Sequence, residues 1–183
     1  SAFLQAMQDE GAYVCNSGEA DMLGRICMSG RGMNPEIVGR YPHEIAKMAG
    51  FSVPKETTVL LADCDSVGPQ APLSIEKLAP VLAVFTEDGW EAGCHRCIEL
   101  LEYGGMGHTL AIHCTDDTII HEFALKKPVN RILVNSPSAQ GAVGLTTNLF
   151  PSMTLGCGSF GGNVTSDNIG PQHLLNIKRL AYL

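Results

Sequence analysis

Short apolar runs rich in β-branched residues alternate here with segments of helical period, and this alternation constrains the fold more than any other feature. Residues 58–62 and 80–86 are runs of strand length. From Asp88 the period becomes helical: Trp90, Cys94, Cys97, Ile98 and Leu101 share one stripe, and Gly104-Gly105 ends it. Residues 109–114 form a further strand. Residues 116–126 form a helix, with Lys126 and Lys127 placed to meet the negative end of its dipole. Residues 131–135 form the next strand. Strand, helix, strand, helix, strand at these lengths predicts parallel βαβ units, hence an α/β fold. Ile132-Leu133-Val134 is apolar on both faces, as in a sheet covered on both sides. Ligands of such sheets bind beyond the carboxyl ends of the strands. That rule singles out Glu87, Thr115 to Asp117 and Asn135 to Ser138.

Before this run the pattern is helical. Helices are expected over 1–10, stopped at Gly11, over 19–28, and over 42–49, entered at Pro42 and left at Gly50. Residues 29–35 read as a loop. After it, residues 136–172 are rich in Gly, Ser, Asn and Pro, and a loop-rich stretch of that length usually carries function. Residues 174–183 turn apolar again and predict a closing strand.

A length of 183 residues favours one domain, or one domain with an appendage. Lys+Arg number 12 against Asp+Glu 19, and the net charge of −7 argues against a nucleic-acid surface. No apolar run approaches the roughly 18–20 residues that span a bilayer, so no membrane partner is expected. The first residues lack the basic and long apolar regions of a signal peptide. The seven cysteines are odd in number and scattered, which points to thiols in a reducing, cytoplasmic compartment.

The candidate chemical motifs are weak when taken singly. Cys94-His95-Arg96-Cys97 is a C-x-x-C, but both cysteines fall on the apolar stripe of a helix, where thiols pack as small hydrophobes. His108, His113 and His121 lie within fourteen residues. His108 and His113 are five apart on one strand and so face opposite sides, and no metal site is expected. The glycine clusters at 104–107, 141–144 and 156–162 do not form the dinucleotide fingerprint. Cys157 and Cys114 are the best placed nucleophile candidates, and spacing gives neither a partner.

Five stretches, taken together and in order, resemble the C-terminal half of a CoA-acylating aldehyde dehydrogenase. They are AGFSVPKETTVLLAD at 49–63, SIEKLAPVLAVF at 74–85, GGMGHTLAIH at 104–113, RILVNSPSAQGAVG at 131–144 and SMTLGCGSFGGNVTSDNIGPQHLLNIK at 152–178. The resemblance is to the aldehyde dehydrogenase part of bifunctional aldehyde–alcohol dehydrogenases and to related microcompartment and sulfoacetaldehyde enzymes. It implies a parallel-sheet catalytic domain of the aldehyde dehydrogenase fold over 1–172 and an oligomerisation strand over 173–183, giving a homo-oligomer. It also implies oxidation of a small aldehyde with NAD or NADP and coenzyme A, through a cysteine thioester, in the cytoplasm or a bacterial microcompartment.

In that family the nucleophilic cysteine precedes the segment resembling 1–14, so no catalytic residue carries over and the chain alone is expected to be inactive. A non-catalytic structural or oligomerisation module is the alternative. By resemblance Glu76 contacts the nicotinamide ribose, and Leu78 stands beside the cofactor where non-acylating relatives carry phenylalanine. Asn135, Pro137, Ser138 and Phe160 match segments lining the aldehyde pocket. The lesser alternative for Glu76 is an exposed acid before a strand, while Phe160 reads equally as an ordinary core aromatic.

Overall fold

The computed structural model describes residues 1–30 and 32–183; Arg31, inside the expected loop 29–35, lies outside the described residues. The chain divides into two compact units, Ser1–Gly104 and Gly105–Leu183.

In the first unit, helix α1 (Ala2–Asp9) is followed by strand β1 (Ala12–Val14) and helix α2 (Ser17–Cys27). The two-residue strands β2 (Met28–Ser29) and β3 (Gly32–Met33) pair antiparallel, so part of the expected loop is a hairpin. Helix α3 (Pro42–Ala49) has the expected bounds, with Pro42 in its first turn and Gly50 closing it in the left-handed region. Strands β4 (Val59–Asp63) and β5 (Val81–Val84) join β1 in a parallel sheet of order β1-β4-β5. Helix α4 (Gly89–Gly104) completes the unit. β1 escapes sequence reading because three residues are too short to show a period. Its pairing with β4, Ala12 opposite Val59, defines it.

The core of this unit is set by the apolar faces of α2, α3, β4 and β5. Leu23, Cys27, Ile37, Ile45, Leu60 and Val81 are buried together. Asn16 caps α2 by accepting from the Glu19 amide at 3.0 Å, while the Glu19 carboxylate accepts from the Asn16 amide at 2.9 Å. At Gly24 the helix passes so close to Pro72 that an added Cβ would lie 2.9 Å from its ring. A helical glycine here admits the 3-10 turn Pro72–Ser74, through which the chain returns to β5.

The second unit is built on one βαβ step. Strands β6 (Gly107–Ile112) and β7 (Val129–Val134) pair in parallel, joined by helix α5 (Asp117–Lys126). Asp116 caps α5 by accepting from the amides of Thr118 and Ile119 at 2.8 and 3.3 Å. The four expected strands are present and each pairs in parallel, but among the described residues only β6–α5–β7, of the predicted βαβ steps, lies within one sheet: β5 pairs with β4, not with β6. A short helix α6 (Ser138–Ala142) follows.

The loop-rich remainder is held by one buried cation. Along β7, Val129, Arg131 and Leu133 share the buried side. The Arg131 guanidinium donates to Asn168 Oδ1 at 2.8 Å, to the carbonyls of Gly156 and Ser166 at 2.7 Å, and to that of Asp167 at 3.1 Å. Asn168 in turn donates to the carbonyls of Ala142 and Phe150 at 2.9 and 2.7 Å.

The expected closing strand over 174–183 does not form within this chain. Pro171–Leu174 is a 3-10 turn, and residues 175–183 have no strand or helix. Leu174, Leu180 and Tyr182 are more than 80% exposed, at 86%, 81% and 87%. The apolar residues that signal a strand have no strand edge of their own chain to pair with. Among the described residues no helix is long and apolar enough to cross a membrane.

Arg131→Met should lower the stability of the second unit by about 2 kcal/mol or more, because it strands two buried acceptors, Asn168 Oδ1 and the Gly156 carbonyl, at roughly 1–3 kcal/mol each. Denaturant unfolding followed by amide exchange at residues 156–168 would measure it. An unchanged midpoint would mean the hub carries no stability.

Candidate active-site residues

In the first unit, Glu76 and Leu78 lie between the turn Pro72–Ser74 and the amino end of β5. Glu76 is exposed, and Leu78 is 59% exposed. Their main chain is firmly held. Buried Ser74 accepts from the Gly68 amide at 3.0 Å and donates to the Ala71 carbonyl at 2.7 Å. The Lys77 ammonium donates to the carbonyls of Leu73 and Ile75. The Leu78 amide meets the Met33 sulfur at 3.1 Å. Glu76 is therefore a solvent-facing carboxylate on a braced turn, able to accept two hydroxyl donors.

Glu87, at the carboxyl end of β5, is committed elsewhere, since it accepts from Arg96 at 2.6 Å. Arg96 also pairs with Glu99 at 2.8 Å and lies over the Phe85 ring. Beyond the end of β4 lies a cavity of about 510 Å³ lined by Asp21, Arg25, Asp63, Cys64, Asp65 and Gln70. Sequence spacing gave no sign of it.

Three thiols of this unit, Cys15, Cys27 and Cys64, are poor nucleophiles. Burial pushes Cys15 up to about 12 and Cys27 up to about 11, and it raises Cys64 as well. Such thiols stay protonated near neutrality. Cys94 and Cys97 lie well inside α4, away from its amino terminus.

In the second unit Asn135 follows β7 at a positive φ of 51°, unusual for a residue other than glycine. Its side chain brackets the main chain of Cys114: Oδ1 accepts from the Cys114 amide at 2.9 Å, and Nδ2 donates to the Cys114 carbonyl at 2.8 Å. The Asn135 amide thereby locks the carboxyl ends of β6 and β7. Pro137 and the exposed Ser138 lead into α6, while neighbouring Ser136 is buried and shares a 2.5 Å hydrogen bond with Thr146.

Phe160 sits on the turn Ser159–Gly161 and is 51% exposed, so it is not a core aromatic. Its loop rides on the amino end of β6. Asn130 Nδ2 donates to the Cys157 carbonyl at 2.6 Å, and a Cβ added at Gly107 would fall 2.1 Å from that oxygen. Gly107 has φ +94°, so both its conformation and the close approach require glycine. The structure brings Asn135, Pro137 and Ser138 together at one end of the β6–β7 ladder and Phe160 at the other. About 16 Å of strand separates the two ends at ~3.3 Å per residue.

His108 is exposed, with Nδ1 3.0 Å from Thr109 Oγ1, and His121 Nδ1 lies 2.6 Å from the Asp117 carbonyl. Among the described residues no group of three His, Cys, Asp or Glu side chains could hold a metal ion. Sequence reading missed Asp167 and His173, which pair at 3.1 Å. The Gly170 amide donates to His173 Nδ1 at 3.0 Å, leaving Nε2 to donate to the carboxylate.

No family model matches the chain. It is 40% identical to the aldehyde-alcohol dehydrogenase of Clostridium acetobutylicum over 179 residues, covering 95% of this chain and 21% of that protein. An acetylating aldehyde dehydrogenase from Geobacillus thermoglucosidasius has the same fold, with a TM-score of 0.94 at 41% identity. A probable aldehyde dehydrogenase from Listeria monocytogenes EGD-e gives 0.93 at 48% identity. Both structures match 99% of this chain over 40% of their own. This chain is homologous to one part of the acetylating aldehyde dehydrogenases. It spans about a fifth of the curated relative and two fifths of these two structures. The α/β fold with parallel strands is that of the matching part of the acetylating aldehyde dehydrogenases.

Gly107→Ala should displace the 156–162 loop and destabilise the second unit by about 2 kcal/mol or more, because the left-handed φ and the clash act together. Thermal unfolding would register it, and an unchanged melting temperature would count against the close approach. Hydrogen bonds from His173 first, then from Thr165, hold the Asp167 carboxyl below its ordinary value. Their stabilisation is present above the ordinary carboxylate range and lost as pH falls through the depressed value. Carbon NMR should show Asp167 titrating below its free value, and His173→Ala should move it upward.

Proposed function

We propose that this chain contributes the nicotinamide-ribose contact and part of the aldehyde pocket to a CoA-acylating aldehyde dehydrogenase. The reaction converts an aldehyde, CoA and NAD(P)⁺ to acyl-CoA, NAD(P)H and a proton, through a thioester on a cysteine outside this sequence. The observation that carries the reading is the similarity to acetylating aldehyde dehydrogenase structures, which runs over 99% of the chain.

The residues present fit this role. Glu76 is an exposed carboxylate on a fixed turn, and a carboxylate accepting ribose hydroxyls makes short, charge-assisted bonds. NAD(P)⁺, when bound, supplies the hydride acceptor. Leu78, beside Glu76, offers a slim apolar surface to the cofactor and leaves room for CoA. Phe160 presents its ring to the aldehyde, with Pro137 and Ser138 as further exposed lining of the second unit. Asn135, whose amide is engaged with Cys114, shapes the turn that carries them. Cys15 and Cys27 remain protonated and are unsuited to the nucleophile's role, which the resemblance gives to a cysteine outside this sequence. The exposed apolar tail pairs with a second copy of the chain, which relieves the hazard of an uncovered apolar edge. The enzyme works in the cytoplasm or inside a bacterial microcompartment.

In the complete native polypeptide, a short aldehyde should drive NADH or NADPH formation only when CoA is present. Glu76→Gln should cut turnover or cofactor affinity on the order of tenfold, the value of one charge-assisted hydrogen bond, with the melting temperature unchanged. No CoA-dependent reduction with any short aldehyde would overturn the assignment.

A further inference from the structure

We infer that Lys77 is a positioning residue: its ammonium, tied to the main-chain carbonyls of Leu73 and Ile75, fixes the turn from which Glu76 meets the nicotinamide ribose. The inference rests on the reading of Glu76 given above.

Two hydrogen bonds carry it. Lys77 Nζ donates to the Ile75 carbonyl at 2.9 Å and to the Leu73 carbonyl. Both acceptors precede Glu76 and the donor follows it, so the side chain closes a small ring of covalent and hydrogen bonds around that residue. Rotation about the Ile75 and Glu76 main chain would break the ring. On either side the turn is anchored again, by Ser74 to Gly68 and Ala71 and by the Leu78 amide to Met33. The Ile75 carbonyl, on a half-exposed residue of the turn, could be met by water instead. A lysine turned inward to meet it and the Leu73 carbonyl spends side-chain entropy and desolvation, and a fixed Glu76 is the return.

The surroundings agree. Burial pushes the Lys77 ammonium below its ordinary value, and its neighbours Cys27 and Cys64 are thiols that burial itself keeps neutral. The cation is thus steered by directional carbonyl dipoles more than by charge. Glu76 itself stays exposed, which leaves both its oxygens for a ligand.

Lys77→Met keeps the length and apolar packing of the stem and removes the donors. In the complete native polypeptide it should raise KM for NAD(P)⁺ or lower kcat on the order of tenfold, while KM for CoA and aldehyde holds. Amide exchange at 73–78 should quicken. In a Glu76→Gln background the same change should add less than about twofold, since both act through one carboxylate. Lys77→Arg, which retains donors, should recover most of the activity. If Met disturbs folding, Lys77→Gln carries the same test. Effects of Lys77→Met and Glu76→Gln that multiply independently, or unchanged exchange and kinetics, would overturn the inference alone. A wild-type protein that binds no nicotinamide nucleotide would overturn the reading of Glu76, and the inference with it.

Discussion

A buried guanidinium organises the second unit. Removing an arginine from water costs several kcal/mol, and a folded chain recovers that only by meeting its donors with well-placed acceptors. Arg131 meets them with Asn168 and with the carbonyls of Gly156, Ser166 and Asp167. These acceptors belong to a stretch with almost no regular structure, held otherwise by a few main-chain bonds such as those from the Gly156 amide to Asp167 and from the Gly158 amide to Thr165. One cation on a strand thereby serves as a template for the loop that carries Phe160. Burial lowers the Arg131 pKa, Asp167 opposes that shift, and an arginine still remains charged across the accessible pH range.

The first unit uses the same physics on a smaller scale. Lys77 is an inward-facing cation satisfied by carbonyls, and it braces the turn that bears Glu76. In each unit a residue that resemblance assigns to ligand contact stays exposed: half-buried Lys77 bonds the main chain just before Glu76, and buried Arg131 bonds the loop at Gly156 and at Ser166 and Asp167, on either side of Phe160. Rigid support beneath an exposed functional group lowers the entropy that a ligand must take up on binding.

Much of the scaffold was legible in the chain. Helix α3 has the predicted bounds, the ends of α4 and α5 follow their glycines and their Asp116 cap, and the four longer strands fall where apolar runs place them. The strands that sequence missed, β1, β2 and β3, have two or three residues each, too few for a periodic signal. The site was less legible. The resemblance picked out Glu76 and Phe160, and both are exposed. Arg131 had a signal that went unused: it sits two residues from Val129 and two from Leu133, on the inward face of a strand, where a charge demands partners.

Local pattern by itself determined the order and type of the long elements, because propensity and period act over a few neighbouring residues. The sequence alone also carries the ordered segments that resemble acetylating aldehyde dehydrogenases. Tertiary structure alone decided which strands pair, that β5 joins β4 while β6 joins β7, and that the apolar tail finds no partner strand in its own chain. It alone decided that the Asn135 amide is occupied by Cys114, that Arg131 reaches the 156–168 loop, and that Lys77 turns back on Leu73 and Ile75. These outcomes depend on hydrogen bonds whose direction is set by the folded main chain, and no spacing along a sequence encodes that direction.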